Sequence, residues 1–154
     1  MKGVIKFIIL TAVLTALIAA FAGTGLADDK EKAVALVKKA IAYYKANGME
    51  KALEEFNNPS GQFVDGDLYV FGYDTNGTML ANPISPALIG QNVMNVPDVD
   101  GKMFRKEAIE TAKAKGSGWV DYKIKNPKTK QIEPKTSYVE KVDDLVIGCG
   151  IYKK

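Results

Sequence analysis

The chain of 154 residues contains no histidine. That removes the commonest general base and the commonest metal ligand together. Its single cysteine, Cys149, excludes an internal disulfide, and its place in an apolar strand marks a buried structural thiol. Only one arginine, Arg105, occurs among 21 basic residues. There is no nucleophile–histidine pair, no glycine-rich phosphate loop and no cysteine cluster, and no two carboxylates are spaced for acid–base work. The chain is therefore expected to be no enzyme and to carry no cofactor. A strong excess of one charge is also missing, since the formal net charge is +3. Nothing in that balance calls for a nucleic acid partner.

A single long apolar run is present, at the N-terminus. Lys2 and Lys6 precede the uncharged stretch Phe7 to Ala22, and Gly25-Leu26-Ala27 places small residues at the −3 and −1 positions before Asp28. This is the pattern of a secretory signal peptide over residues 1–27. Gly23-Thr24-Gly25 favours cleavage, because glycine weakens a helix where the cleavable region is extended. The alternative is an uncleaved anchor, as the 21 residues Phe7 to Ala27 carry no charge and about 20 suffice to span a bilayer. No cysteine follows the run, which argues against a lipid anchor. The mature domain is then 28–154, and without Lys2 and Lys6 its net charge is +1. The expected location is the periplasm or the extracellular space.

The stretch Asp67 to Pro83, DLYVFGYDTNGTMLANP, predicts a β-hairpin. Tyr69, Phe71 and Tyr73 alternate with Leu68 and Val70, Asn76-Gly77 supplies a turn in which glycine adopts positive φ freely, and Pro83 ends the return strand from Thr78 to Ala81. Before it, the spacing of Ala33, Val37, Ala40, Ile41 and Tyr44 predicts a helix from an Asp28 or Asp29 cap to about Asn47. Met49 to Phe56 is a second short helix, with Leu53 and Phe56 inward. Asn57 to Gly66 is a loop of turn formers.

After the hairpin, Pro83 to Gly101 loses periodicity but keeps Leu88, Ile89, Val93, Met94 and Val96. Long apolar loops of this kind are commonly functional covers. Lys102 to Lys115 predicts a helix with Phe104, Ala108, Ile109 and Ala112 inward. Three strands follow: Trp119 to Lys125, Pro134 to Val142 and Leu145 to Tyr152. The last is apolar or small on both sides, so it is expected to be central, beside the first strand. Gly148 and Gly150 leave room for a close approach. The order predicts an α+β fold: a five-stranded antiparallel sheet with a long N-terminal helix and a helix-and-loop cover.

Several runs carry a family resemblance: Tyr69-Val70-Phe71, Asp74, Gly77, Leu80-Ala81-Asn82-Pro83, Pro86, Leu88, Gly90, Asp100-Gly101, Gly118-Trp119-Val120, Tyr122, Asn126-Pro127, Lys135, Ser137-Tyr138-Val139, Gly148 and Gly150-Ile151-Tyr152. Together they resemble the small single Cache domain, an extracytoplasmic sensor domain with a PAS-like sheet. The resemblance implies a short organic carboxylate bound between sheet and cover. It also implies a free-standing periplasmic protein that works with a membrane-bound signalling or transport partner, or as a homodimer. Where the family often has histidine in a Leu-Ala-His-Pro pattern, this chain has Asn82, a change expected to alter the ligand or its pH response.

The residues can also be weighed by their chemistry. A small carboxylate needs a cation and a few oriented donors in an apolar pocket. Lys135 is the candidate cation, against the plain reading of a solvated lysine. Arg105 is a second cation, against that of an exposed helix arginine. Tyr69, Phe71, Trp119, Tyr122 and Tyr138 supply an aromatic wall with polar handles, against a purely structural core. Asn82 offers an amide to the ligand or caps a turn. On an ideal strand Tyr138 points away from Lys135 and Ser137, so both reach one pocket only through a bulge. Two rival functions stand beside the sensor: a structural or protein-interaction module, and a calcium-binding domain. The second rests on Asp98, Asp100 and Glu107, which match part of an EF-hand loop whose first position would be Val96.

Overall fold

The computed structural model describes residues 24–153; of the expected leader over 1–27, residues 1–23 lie outside the described residues and 24–27 form the start of the first helix. Three helices and six strands follow one another: α1 (Thr24–Asn47), α2 (Met49–Phe56), β1 (Val64–Asp65), β2 (Leu68–Asp74), β3 (Met79–Ala81), a 3-10 turn (Pro86–Leu88), α3 (Phe104–Lys115), β4 (Ser117–Lys125), β5 (Ile132–Val142) and β6 (Leu145–Tyr152). No helix among the described residues is long and apolar enough to cross a membrane.

The sheet is antiparallel in the order β1-β2-β6-β5-β4, with β3 paired to β2. As expected, β6 is central and lies beside β2. The stretch 57–66, expected to be all loop, contributes a sixth strand: Val64 and Asp65 pair with Tyr69 and Leu68. Two residues are too few to show an alternation. The return strand is shorter than expected, and Thr78 instead bridges to Asn92 in the cover.

Two layers pack on the sheet. On one face lie α1 and α2, where Ala33, Val37, Ala40, Ile41 and Phe56 meet Val70, Tyr138, Ile147, Cys149 and Ile151. The other face carries α3 and the cover, where Phe104, Ala108, Ile109 and Ala112 meet Phe71, Tyr73, Val120, Val139 and Val146. Ion pairing and hydrogen bonding fix α1 over the sheet: Lys38 lies 2.7 Å from Glu140, and the Tyr44 hydroxyl donates to Asp143 at 3.0 Å. The capping expectation at Asp28 or Asp29 is corrected. The helix begins four residues earlier, and Asp28 sits within it, paired with Lys32 at 2.6 Å. Leu26 and Ala27 are strong helix formers, and one glycine weakens such a turn without breaking it.

The hairpin turn is held by the Asp74 carboxylate, which accepts from the amides of Asn76 (2.9 Å) and Thr78 (2.8 Å). A similar turn anchors the cover. Asp98 accepts from the amides of Asp100, Lys102 and Lys123, while Asp100 pairs with Lys123 and Glu107 with Lys102. The acidic residues of the EF-hand-like stretch are thus engaged by backbone amides and lysines. Among the described residues no three acidic or thiol side chains gather as a metal site would require. Asp100 does not cap α3; Met103 stands at that position and its side chain makes no capping bond.

Candidate functional site

Cross-strand register places the candidate residues. Tyr122 of β4 pairs with Lys135 of β5, and Lys135 with Tyr152 of β6. One row on, Val120 pairs with Ser137 and Ser137 with Gly150. Because directly paired residues share a face, Tyr122, Lys135, Tyr152, Ser137 and Gly150 all lie under the α3 and cover layer. Tyr69, Phe71 and Tyr73 of β2 point to that same side.

Lys135 is 1% exposed. Its Nζ donates to the Tyr69 hydroxyl at 3.2 Å and lies 4.5 Å from the ring centres of both Tyr69 and Tyr152. Among the described residues it forms no ion pair with a carboxylate. Burial in this aromatic surrounding lowers the lysine's pKa from its ordinary value, which the nearby Tyr152 phenol and Cys149 only partly oppose. Burial pushes Tyr69 up to about 12 and Tyr122 well above 10.0, so both phenols remain neutral donors at physiological pH. The Tyr122 and Ser137 hydroxyls are 2.8 Å apart.

Arg105 is also buried, at 8% exposure, which overturns the plain reading of an exposed helix arginine. Its Nη1 donates to the Val96 carbonyl at 3.2 Å, and its guanidinium lies 4.3 Å from the centre of the Phe104 ring. Phe104 in turn stacks on Tyr122, with centroids 4.1 Å apart and planes 9° from parallel. Cover and floor are therefore coupled by a continuous stack. The sequence held the signal for this burial. Arg105, Ala108, Ile109 and Ala112 follow the i, i+3, i+4, i+7 spacing of an inner helical stripe.

The structure separates the candidates. Lys135, Tyr122, Tyr69, Phe71 and Arg105 share one face. Tyr138 and Trp119 pair with each other on the opposite face, under α1. The register runs unbroken from Ser117↔Glu140 to Lys125↔Ile132, so no bulge rotates Tyr138 toward Lys135. Tyr138 instead donates to Glu140 at 2.8 Å, and Trp119 carries the Lys30 ammonium 5.0 Å from its ring. Asn82 is buried at the start of the cover, where its side-chain oxygen accepts from the amides of Ile84 and Ser85 at 3.1 and 2.8 Å. That is the turn-capping role. Ser137, Tyr152 and Tyr73 were not singled out from the sequence. The parity of β5, β6 and β2 relative to Lys135, Gly150 and Tyr69 would have included them.

Gly148 and Gly150 do allow a close approach, and the neighbours that use it are side chains of this chain. A Cβ on Gly150 would meet Ser137 Oγ and lie 2.6 Å from Lys135 Cε. Gly150→Ala is therefore expected to displace the Lys135 stem. The protein should remain folded with a loss of about 1–2 kcal/mol, and a ligand held through Lys135 should no longer raise the melting temperature. Thermal unfolding with and without ligand reads both effects. Beside Lys135, a cleft of about 280 Å³ is lined by Tyr122, Pro134 and Lys135 together with three further lysines (Lys102, Lys123, Lys153) and three aspartates (Asp98, Asp100, Asp121).

With this geometry in place, comparison with known proteins is informative. A family model described as single Cache domain 2 matches residues 29–154. Over 88 residues the chain is 39% identical to sensor histidine kinase MctS of Rhizobium johnstonii, covering 56% of this chain and 19% of that protein. Over 90 residues it is 30% identical to methyl-accepting chemotaxis protein McpP of Pseudomonas putida, covering 57% of this chain and 16% of that protein. The matched region thus spans less than a fifth of either relative. A solved periplasmic sensor domain of a chemotaxis protein superposes with a TM-score of 0.71 at 30% identity, covering 84% of this chain and 99% of that one. A second structure, described as the basis for carboxylic acid recognition by a Cache chemosensory domain, gives 0.70 at 26% identity, covering 84% and 96%.

Proposed function

The chain belongs to the single Cache domain 2 family of sensor domains, and from that premise we propose that it is an extracytoplasmic ligand-binding domain for a short organic carboxylate. The observation that carries this reading is Lys135: a lysine 1% exposed, ringed by phenols, with no carboxylate partner among the described residues. An isolated buried ammonium costs several kcal/mol. A small anion entering from the cover side offsets that term, and the neutral hydroxyls of Tyr69, Tyr122 and Ser137 orient it. Tyr138, Trp119 and Asn82 take structural roles in this proposal. Carboxylic acid recognition is described for a structural relative, and the same chemistry is proposed here because the residues of this face suit it.

Residues 1–27 would serve as a leader that brings the domain to the periplasm or beyond. Ligand would favour the closed arrangement of the cover, and a membrane-bound signalling or transport partner would read that population shift. The test is a thermal-shift screen of the protein with C2–C4 carboxylates. A ligand present at about 100 times its Kd should stabilise by about 2.7 kcal/mol. A flat screen over the whole series would overturn the carboxylate reading and favour a protein-interaction role for the same fold.

Binding should also depend on pH in a definite direction. The anion binds the protonated form of Lys135, whose pKa in the free protein is lowered by burial. Affinity is therefore expected to fall by up to about tenfold per pH unit above that pKa, and the fall should begin below 10.5, the ordinary lysine value. The linked effect on the unliganded fold has the opposite sign. Between the two pKa values the unfolded chain holds more protons, so this group makes the free protein more stable as pH rises. Calorimetric titration between neutral pH and pH 10 checks the first effect, and denaturant unfolding over the same range checks the second.

A further inference from the structure

The cover is fastened to the sheet in two different ways. Its first part is stitched by backbone bonds: Thr78 bridges to Asn92, the Met79 amide donates to the Gln91 carbonyl at 3.0 Å, and the Val93 amide donates to the Gly77 carbonyl at 2.8 Å. Between residues 94 and 103 the backbone bonds stay within the cover, as in Asp98 to Lys102 at 2.9 Å. The polar contacts that reach the sheet from there run through side chains of one turn, 98–102. Asp98 accepts from the Lys123 amide at 3.0 Å, Asp100 pairs with the Lys123 ammonium at 2.8 Å, and Lys102 Nζ donates to the Asp121 carbonyl at 2.6 Å. Asp121 and Lys123 belong to β4, the last strand of the sheet on this side.

This turn borders the cleft that reaches Lys135. Of the roughly 280 Å³ opening, one side is Asp98, Asp100 and Lys102, and the other includes Tyr122, Lys123 and Lys135. Lys135 is nevertheless 1% exposed, so a solute meets its ammonium only after something moves. Phe104 follows two residues after the turn and stacks on Tyr122, so a turn that lifts draws this ring with it. The fastening is weak. The Asp100 and Lys123 side chains are 58% and 49% exposed, and an exposed ion pair biases an equilibrium by only about two- to fivefold. Another seam borders Tyr69 and Tyr152, the rings beside the ammonium. It holds about 30 Å³, room for a water or two, and Lys128 and Asp67 pair there at 2.7 Å.

We propose that the turn 98–102 is a latch, and that its release from β4 opens the seam through which a small solute reaches Lys135 while the rest of the fold stays closed. Local openings of this kind draw on segments held by few and exposed contacts. The backbone bonds at 91–93 keep the other end of the cover in place. A ligand of the site proposed above would enter and leave by this route, and the latch would set its rate of exchange. That use rests on the ligand-binding reading, but the latch does not. Its test needs no carboxylate, so a flat carboxylate screen and a failed latch are separate results.

The experiment measures access to Lys135 directly. The full chain is treated at mildly alkaline pH with potassium cyanate, which carbamylates uncharged amines, and Lys135 is followed by peptide mass spectrometry against the exposed Lys51. In parallel, iodoacetamide reports on Cys149, which is fully buried on the opposite face under α1 and is reached only by wider unfolding. When opening and closing are fast, each rate follows the population of its open form. Asp100→Asn should raise the Lys135 rate about threefold. Asp100→Asn combined with Lys102→Met should raise it about tenfold or more, as loss of a further charged hydrogen bond predicts. Cys149 should keep its native rate in both variants. Lys135 should keep its own in Lys128→Gln, which breaks the pair at the other seam. The latch is overturned if Lys135 reacts at its native rate in both latch variants, or if Cys149 accelerates together with it. It is equally overturned if Lys128→Gln speeds Lys135 as much as the latch variants do.

Discussion

Lys135→Met is expected to remove the carboxylate-induced rise in melting temperature and to leave the unliganded protein at least as stable as the native chain. Most substitutions of a residue 1% exposed destabilise, so the sign is diagnostic. Lysine here is buried without a carboxylate partner, and its charge is opposed only by phenol oxygens and ring faces. Methionine has a similar length and fills the space between Tyr69, Tyr152 and Gly150 without a charge to desolvate. Replacing buried charge by apolar groups of like volume is commonly neutral or stabilising, by about 1–4 kcal/mol. The lost hydrogen bond to Tyr69 offsets about 1 kcal/mol of that. The net expectation is a change between zero and about 3 kcal/mol in favour of the folded state. Ligand affinity, in contrast, should fall by about 100-fold or more, since a charge-assisted contact in a desolvated site contributes about 2–5 kcal/mol. Melting curves of both proteins with and without ligand decide it. A variant that melts several degrees lower with no ligand present would show Lys135 to be a structural strut between β2 and β6.

Gly148→Ala is expected to destabilise by about 3 kcal/mol, near the upper end of ordinary overpacking. The Phe71 ring lies over Gly148, its directly paired neighbour on β6. An added Cβ would stand 2.5 Å from Phe71 Cε2 and 2.9 Å from Val139 Cγ1. Neither neighbour can yield readily. Phe71 is 7% exposed beneath the cover, and Val139 is fully buried. Close packing in such interiors transmits the displacement to surrounding side chains. The melting temperature should drop by roughly 10 °C. Phe71→Leu in the same chain should recover part of that loss, because the smaller side chain vacates the position of the new methyl group. A double-mutant cycle measures the recovery, and strict additivity of the two changes would show that the Phe71 ring does not rest on this glycine.

Most of the architecture was legible in the sequence. The alternation Tyr69, Phe71, Tyr73 against Leu68, Val70 marked two faces of one strand, and both are occupied as expected. The doubly apolar run Leu145–Tyr152 marked the central strand, because only a strand covered on both sides needs no polar face. Parity within β5 also foretold that Tyr138 and Lys135 diverge, and the unbroken register shows them doing so. The two-residue strand Val64–Asp65 left no periodic trace. Lys135 and Arg105 were harder to judge. By type they belong at the surface; the burial of Arg105 shows only in the helical stripe it shares with Ala108, Ile109 and Ala112, and Lys135 is buried by neighbours distant in sequence.

Order of elements, strand faces and the inward stripe of each helix follow from backbone periods of two and 3.6 residues, which a handful of neighbouring side chains suffices to display. Depth of burial and compensation of charge do not. The hydroxyl nearest the Lys135 ammonium comes from a residue 66 positions away, and the rings beside both cations are assembled by three strands and a helix. Desolvation is a sum over everything that packs around a group, so it exists only once the chain has closed on itself. That closure buries two ordinary basic residues, Lys135 and Arg105, with no carboxylate partner among the described residues.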